Sequence, residues 1–120
     1  TLNLFQSTFA KNRSPDGGAL NVNTNCAADV DQCIFAFSLV GAAIHCINSS
    51  TASLACCDVF GNEGGDWVGC LAGQQGSGGN ISQDPLFCDA EAETLQAASP
   101  CAEENNQECG QIGAASVGCP

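Results

Sequence analysis

The chain has 120 residues, 13 acidic against 2 basic, a formal net charge of −11 and 44% hydrophobic residues. That length fits one domain at most. The hydrophobic share is too high for a disordered tail, and so few Lys and Arg argue against nucleic acid or an anionic membrane surface, both of which need a basic face. No apolar run approaches the ~20 residues of a membrane helix, so no membrane insertion is expected. Ten cysteines, one His and no CxxC…CxxC zinc pattern read as disulfides made in an oxidising compartment. The chain opens on Thr1 and shows no signal peptide. That fits a processed secreted protein or a fragment of one, extracellular or at the cell surface.

Slid against itself, the chain repeats. Leu4, Val30, Leu54 and Ile81 fall in one column, Ser7, Cys33, Cys57 and Asp84 in a second, Phe9, Phe35, Val59 and Leu86 in a third, and Asn12, Ser38, Asn62 and Asp89 in a fourth; the steps are 26, 24 and 27 residues. A second set, Leu20, Ile44, Val68 and Leu95 with Val22, Cys46, Cys70 and Ala97, steps by 24, 24 and 27. A fixed period of roughly 20 to 50 residues marks a solenoid or an array. Short runs such as Leu2 to Leu4 and Ile44 to Cys46 have strand period two, and no stripe with i, i+3, i+4, i+7 spacing is sustained. Gly17-Gly18, Gly41, Gly61 and Gly64-Gly65 suit bends with positive φ. The expected fold is all-β, a short parallel β-helix of about four coils over residues 1–97, closed by a C-terminal cap at 98–120 and stapled by disulfides.

In chain order, residues 1–9 begin inside a strand with no polar cap. A solenoid end exposes unpaired strand edges and an open core, so Thr1, Leu2, Leu4, Phe5 and Phe9 are the candidate assembly surface. Lys11, Arg13, Pro15 and Asp16 read as a solvated turn. Phe35 is expected in the core and Phe37 toward a loop or partner. Asn48 and Asn80 match the N-glycosylation pattern, as does Asn12, weakened by Pro15. Trp67 is expected to face out, beneath a Gly-rich loop at 71–80. All ten cysteines are expected in disulfides. Cys26–Cys33, Cys88–Cys101 and Cys109–Cys119 are preferred as local pairs. Cys46, Cys56, Cys57 and Cys70 make two more with partners open, although Cys46 stacks on Cys70 and Cys33 on Cys57.

The stretch Asn80–Phe87 (Asn-Ile-Ser-Gln-Asp-Pro-Leu-Phe), with Leu95 to Cys101, resembles the C-terminal end of secreted right-handed parallel β-helix proteins of the pectate-lyase-like superfamily. Cys56 to Asn62, Gly64 to Cys70 and Cys109 to Cys119 resemble a cysteine-rich bacterial branch of it. The resemblance implies a right-handed coil and, for some relatives, lyase or hydrolase chemistry on Ca²⁺-binding or grouped Asp residues. Here Asp84 is placed in an inward column, Asp89 at a corner and Asp58 alone, with Asp66 near the later coils. Lys11 and Arg13 lie at the far end, and His45 faces outward opposite Asn21 and Gly69. No catalytic, metal or cofactor residue is therefore expected, Ca²⁺ being the one cofactor the resemblance brings forward. The expected function is a non-enzymatic extracellular scaffold that associates end to end, with copies of itself or a longer parent chain, into a filament or surface-layer assembly. The alternative is a glycan-binding module or fragment meeting polysaccharide through Phe37 and Trp67.

Overall fold

A computed structural model describes residues 1–89 and 93–120. Three parallel sheets wrap the chain into a β-solenoid of about five turns. The first coil runs β1 (Leu2–Phe5), β2 (Thr8–Ala10) and β3 (Arg13–Val22). The second runs β4 (Ala27–Asp31), β5 (Ile34–Ala36) and β6 (Val40–Cys46), and the third begins with β7 (Thr51–Ala55) and β8 (Asp58–Phe60). The sheets have the orders β1-β4-β7, β2-β5-β8 and β3-β6. The register sets Leu4 on Val30 on Leu54, Phe9 on Phe35 on Val59, and Leu20 on Ile44. Those are the columns read from the sequence. Two late strands, β9 (Leu95–Gln96) and β10 (Val117–Cys119), also pair in parallel.

Each coil turns on residues in the left-handed region, stacked like the strands between them. One corner holds Gln6, Gln32 and Cys56 and the next Lys11, Phe37 and Gly61, with φ between +44° and +70°. Most are not glycine, so the bends are held by their surroundings and cost of order 1 kcal/mol or more each. Gly61 is required for another reason: a Cβ there would come within 2.8 Å of the Phe37 ring, which lies over it. Gly17-Gly18 does not make a bend. It lies inside β3, where the register with β6 shifts, and a Cβ on Gly17 would meet the Leu20 carbonyl. Arg13 to Asp16, expected as a turn, belong to the same strand.

Two cores result. The inner one fills the coil with Val22, Val30, Phe35, Ile44, Leu54, Val59 and Leu71 among others, and Phe9 stacks on Phe35 at 4.8 Å between ring centroids. The outer one covers the other face of the middle sheet, where Ile34 and Ala36 pack under Leu95, Cys101, Ala102 and Ile112. β4 and β7 alternate exposed and buried residues, so their outer face meets water. β5 is buried at every position, because a second layer lies on it.

That layer includes the segment expected to close the coil. It runs along the side of the coil and reaches back to its start. Gln32 Nε2 donates to the Cys109 and Gln111 carbonyls (2.6 and 3.1 Å), the Gly113 N–H donates to the Gln32 carbonyl, and the Ala114 N–H donates to Thr8 Oγ1 at 2.9 Å. Three disulfides hold the structure: Cys46–Cys70, Cys56–Cys109 and Cys88–Cys119. Cys26, Cys33, Cys57 and Cys101 are thiols. None of the three preferred local pairs forms. Cys109 lies over the Cys56 corner, Cys119 is carried to Cys88 by the pairing of β9 with β10, and Cys101 is turned under the outer layer toward Asp58. No helix among the described residues is long and apolar enough to cross a membrane.

Candidate functional site

The two ends of the coil differ. At the far end, side-chain amides take the place of a further strand. Gln74 donates from Nε2 to the Ala52 carbonyl (2.8 Å) and accepts at Oε1 from the Leu54 N–H (2.9 Å), as a paired peptide would. Asn80 donates to the Leu54 carbonyl (2.9 Å) and accepts from the Cys57 N–H (3.0 Å), spanning the bend at Cys56. Asn62 spans the Phe37 bend in the same way, between the Phe35 carbonyl and the Ser38 N–H, both at 3.0 Å. The Cys56 N–H donates to Gly78 and the Val59 N–H to Ile81. The far edges of β7 and β8 are thus satisfied by residues 74–82.

At the near end β1, β2 and β3 each have a sheet neighbour on one side only. Leu2 is 44% and Phe5 61% exposed, Thr1 is exposed, and Leu4 and Phe9 are half-buried. The candidate assembly residues therefore gather at this end, Leu4 and Phe9 packed against the core and Leu2 and Phe5 exposed. Charge is uneven as well. Residues 1–25 hold Lys11, Arg13 and Asp16, net +1, and residues 26–120 hold the other 12 acidic residues and no base, net −12, which together give the −11 of the chain. In space the division is less sharp, because the register sets Asp29 beside Asn3 and Asp31 beside Phe5.

The remaining candidates are dispersed. Trp67 does not face outward. It packs against the inner core, and its Nε1 is buried without a hydrogen-bond partner among the described residues. Asn80, a candidate glycosylation site, is 3% exposed with its amide engaged as above, so it cannot carry a sugar in the folded chain. Asn48 is exposed. Phe37 is half-buried, edge-on to Phe60 and Phe87 (6.0 and 6.1 Å), and lines a cleft of about 300 Å³ with Lys11, Asp84, Phe87, Asp89 and Gln96. Asp84 is exposed, not inward, and accepts from the Leu86 N–H at 2.9 Å. The fourth coil is the reason: Ile81 bridges to Asp58, not to Leu54, so the columns of Asp84, Leu86 and Asp89 slip. Asp66 closes a turn by accepting from Asn62 and Gly61, and His45 pairs with Asn21 in register and is half-buried.

Asp58 is a carboxyl in an unusual environment. It points out of the coil yet is fully buried beneath the outer layer, accepting from the Gln83 N–H and from the Cys101 thiol, both at 3.1 Å. Burial pushes its pKa up to about 7, with help from the charges of Asp66 and Asp84 and against the stabilising hydrogen bonds. No group of three or more His, Cys, Asp or Glu among the described residues could hold a metal ion. Comparison with family models, curated proteins and solved structures finds no match.

Proposed function

We propose that this chain is an extracellular structural β-solenoid without enzymatic activity that associates through its open first coil. The observation that carries this is the asymmetry of the ends: three one-sided strands with Leu2 and Phe5 exposed at one, side-chain amides closing β7 at the other. Unpaired strand edges are templates for another chain. The partner proposed is a second copy, open face to open face. Electrostatics alone would favour the +1 end meeting the −12 remainder, but exposed charges are screened within about 8 Å at physiological salt. A paired strand edge satisfies several backbone groups at once, and at the far end the edges of β7 and β8 are already taken by residues 74–82. The contact is then isologous and closes at two copies, a narrower outcome than the filament expected from sequence. Three disulfides and the resemblance to secreted parallel β-helices support an oxidising extracellular setting.

Sedimentation velocity across a range of concentration tests the reading. A species of twice the chain mass, lost in Phe5→Lys and Leu2→Lys, supports it; a monomer at every concentration rules out self-association and leaves a longer parent chain as the partner. A second reading rests on the Phe37 cleft, whose volume and mix of aromatic and polar groups suit a small ligand. Under it, Phe37 and Phe87 would meet a glycan without Trp67. Binding to a glycan array that disappears in Phe37→Ala would support that reading, and an array without signal would sink it.

A further inference from the structure

Cys33 and Cys57 stand one residue ahead of the Ile34–Asp58 register pair, and the Asp58 N–H donates to the Cys33 carbonyl at 3.0 Å. They are vertical neighbours on successive coils, and both side chains are buried in the inner core. Such neighbours in a parallel ladder lie about 4.8 Å apart at Cα, inside the roughly 4.4–6.8 Å that a disulfide spans. The fold already contains a bond of this kind. Cys46 and Cys70 are joined one coil above the other, with the same 24-residue separation and a Cα–Cα distance of 6.0 Å. The thiols of Cys33 and Cys57 have little to lose. Cys33 Sγ faces the Asp31 carbonyl at 3.4 Å, and Cys57 Sγ faces the carbonyls of Ala55 and Val30 at 3.3 and 3.6 Å, all weak contacts.

We propose that Cys33 and Cys57 form a fourth disulfide, a second coil-to-coil staple, when the chain folds in an oxidising compartment. The oxidant is a low-molecular-weight disulfide. One cysteine thiolate attacks it and releases one thiol, and the second cysteine then attacks the mixed disulfide and releases the other. Two protons and two electrons leave the protein, and the oxidant departs as two thiols. Timing matters because the nucleophile is the thiolate. Burial raises the pKa of both cysteines in the folded chain, that of Cys57 to about 12. The bond therefore forms before the coils close over the pair, and a chain that folds fully reduced keeps both thiols.

The reduced, unfolded chain is refolded in a mixture of oxidised and reduced glutathione, then unfolded in denaturant with an alkylating agent and no reductant. Intact mass is expected to show two alkylated cysteines, and fragmentation should place them at Cys26 and Cys101 with Cys33 linked to Cys57. Four alkylated cysteines, or either residue linked elsewhere, overturns the proposal. Cys33→Ser gives an independent reading. Its count rises from two to three if the bond exists and falls from four to three if it does not. Should that variant fail to refold, peptic mapping of the refolded wild-type chain decides by the presence or absence of the Cys33–Cys57 linked peptide.

Discussion

Asp58 on β8 accepts a hydrogen bond of 3.1 Å from the thiol of Cys101, and neither side chain is reached by water. This pair joins the outer layer to the coil, and it makes the joint sensitive to protons. The Asp58 pKa lies near 7 in the folded chain against 3.8 as its ordinary value. The folded state therefore holds this proton more tightly than the unfolded chain. Its stabilising contribution is complete below about pH 4, declines as pH rises toward 7 and is gone above it. Between pH 5.5 and 8.5 the melting temperature of the wild type should fall. In Asp58→Asn, which keeps the acceptor for the Gln83 N–H and never ionises, the same curve should be flatter and should lie above the wild type at pH 8.5. Circular dichroism melts decide it, and parallel pH profiles for the two proteins would contradict the assignment.

Asn80 closes a bend. Asn80→Ala would strand the Leu54 carbonyl and the Cys57 N–H, both in the interior, at a cost of about 2–4 kcal/mol. Asn80→Asp should recover none of that loss at neutral pH, since a buried carboxylate is desolvated and its second oxygen faces the Leu54 and Gln74 carbonyls. Urea unfolding should place both variants well below the wild type. The burial of Asn80 has a second consequence. In a eukaryotic secretion host, glycopeptide mapping should find sugar at Asn48 and none at Asn80 of folded protein; glycan at Asn80 in material that keeps its strand content would refute the placement.

The solenoid was legible because its inward residues must stack. The Leu4, Val30 and Leu54 column and the Phe9, Phe35 and Val59 column are simultaneously sequence spacings and ladder contacts. Two-sided burial of the middle sheet also left a trace, in the unbroken apolar run Ile34-Phe35-Ala36 beside the alternation of β4 and β7. The spacing fails after residue 70, where Gln74 occupies the far edge of β7 with its side chain, and the main chain meets the preceding coil again at Gly78, beside Cys56, and bridges at Ile81, over Asp58. A glutamine acting as a strand has no period to betray it. The disulfide pairs failed for a related reason. Sequence distance favours local bonds, but the outer layer folds back along the coil and brings Cys109 to Cys56, 53 residues away. Burial of Asp58 follows from that same fold-back and has no local signature.

Net charge predicts how salt acts on association. Each copy carries −11, so two copies whose open faces meet repel one another. Raising salt from 20 mM to 300 mM should tighten the dimer several-fold by screening that repulsion. A contact between the basic end and the acidic side would weaken instead. Sedimentation equilibrium at the two salts separates these geometries.

The sealed far end makes the strongest claim on assembly, because it can be opened by one side chain. Gln74→Ala removes the group that accepts from the Leu54 N–H and donates to the Ala52 carbonyl. Asn80 and the Gly78 and Ile81 backbone still hold the rest of that edge, so the coil itself should survive with a loss of about 1–3 kcal/mol. The variant then has a partly free parallel edge at each end, and an open end of one copy can pair with the far end of the next. Contacts of that kind do not close on themselves. Electron microscopy and sedimentation velocity should show species beyond the dimer, growing with concentration, and Phe5→Lys in the same chain should abolish them. A Gln74→Ala protein that stays at the wild-type assembly size would mean that the far edge does not limit growth.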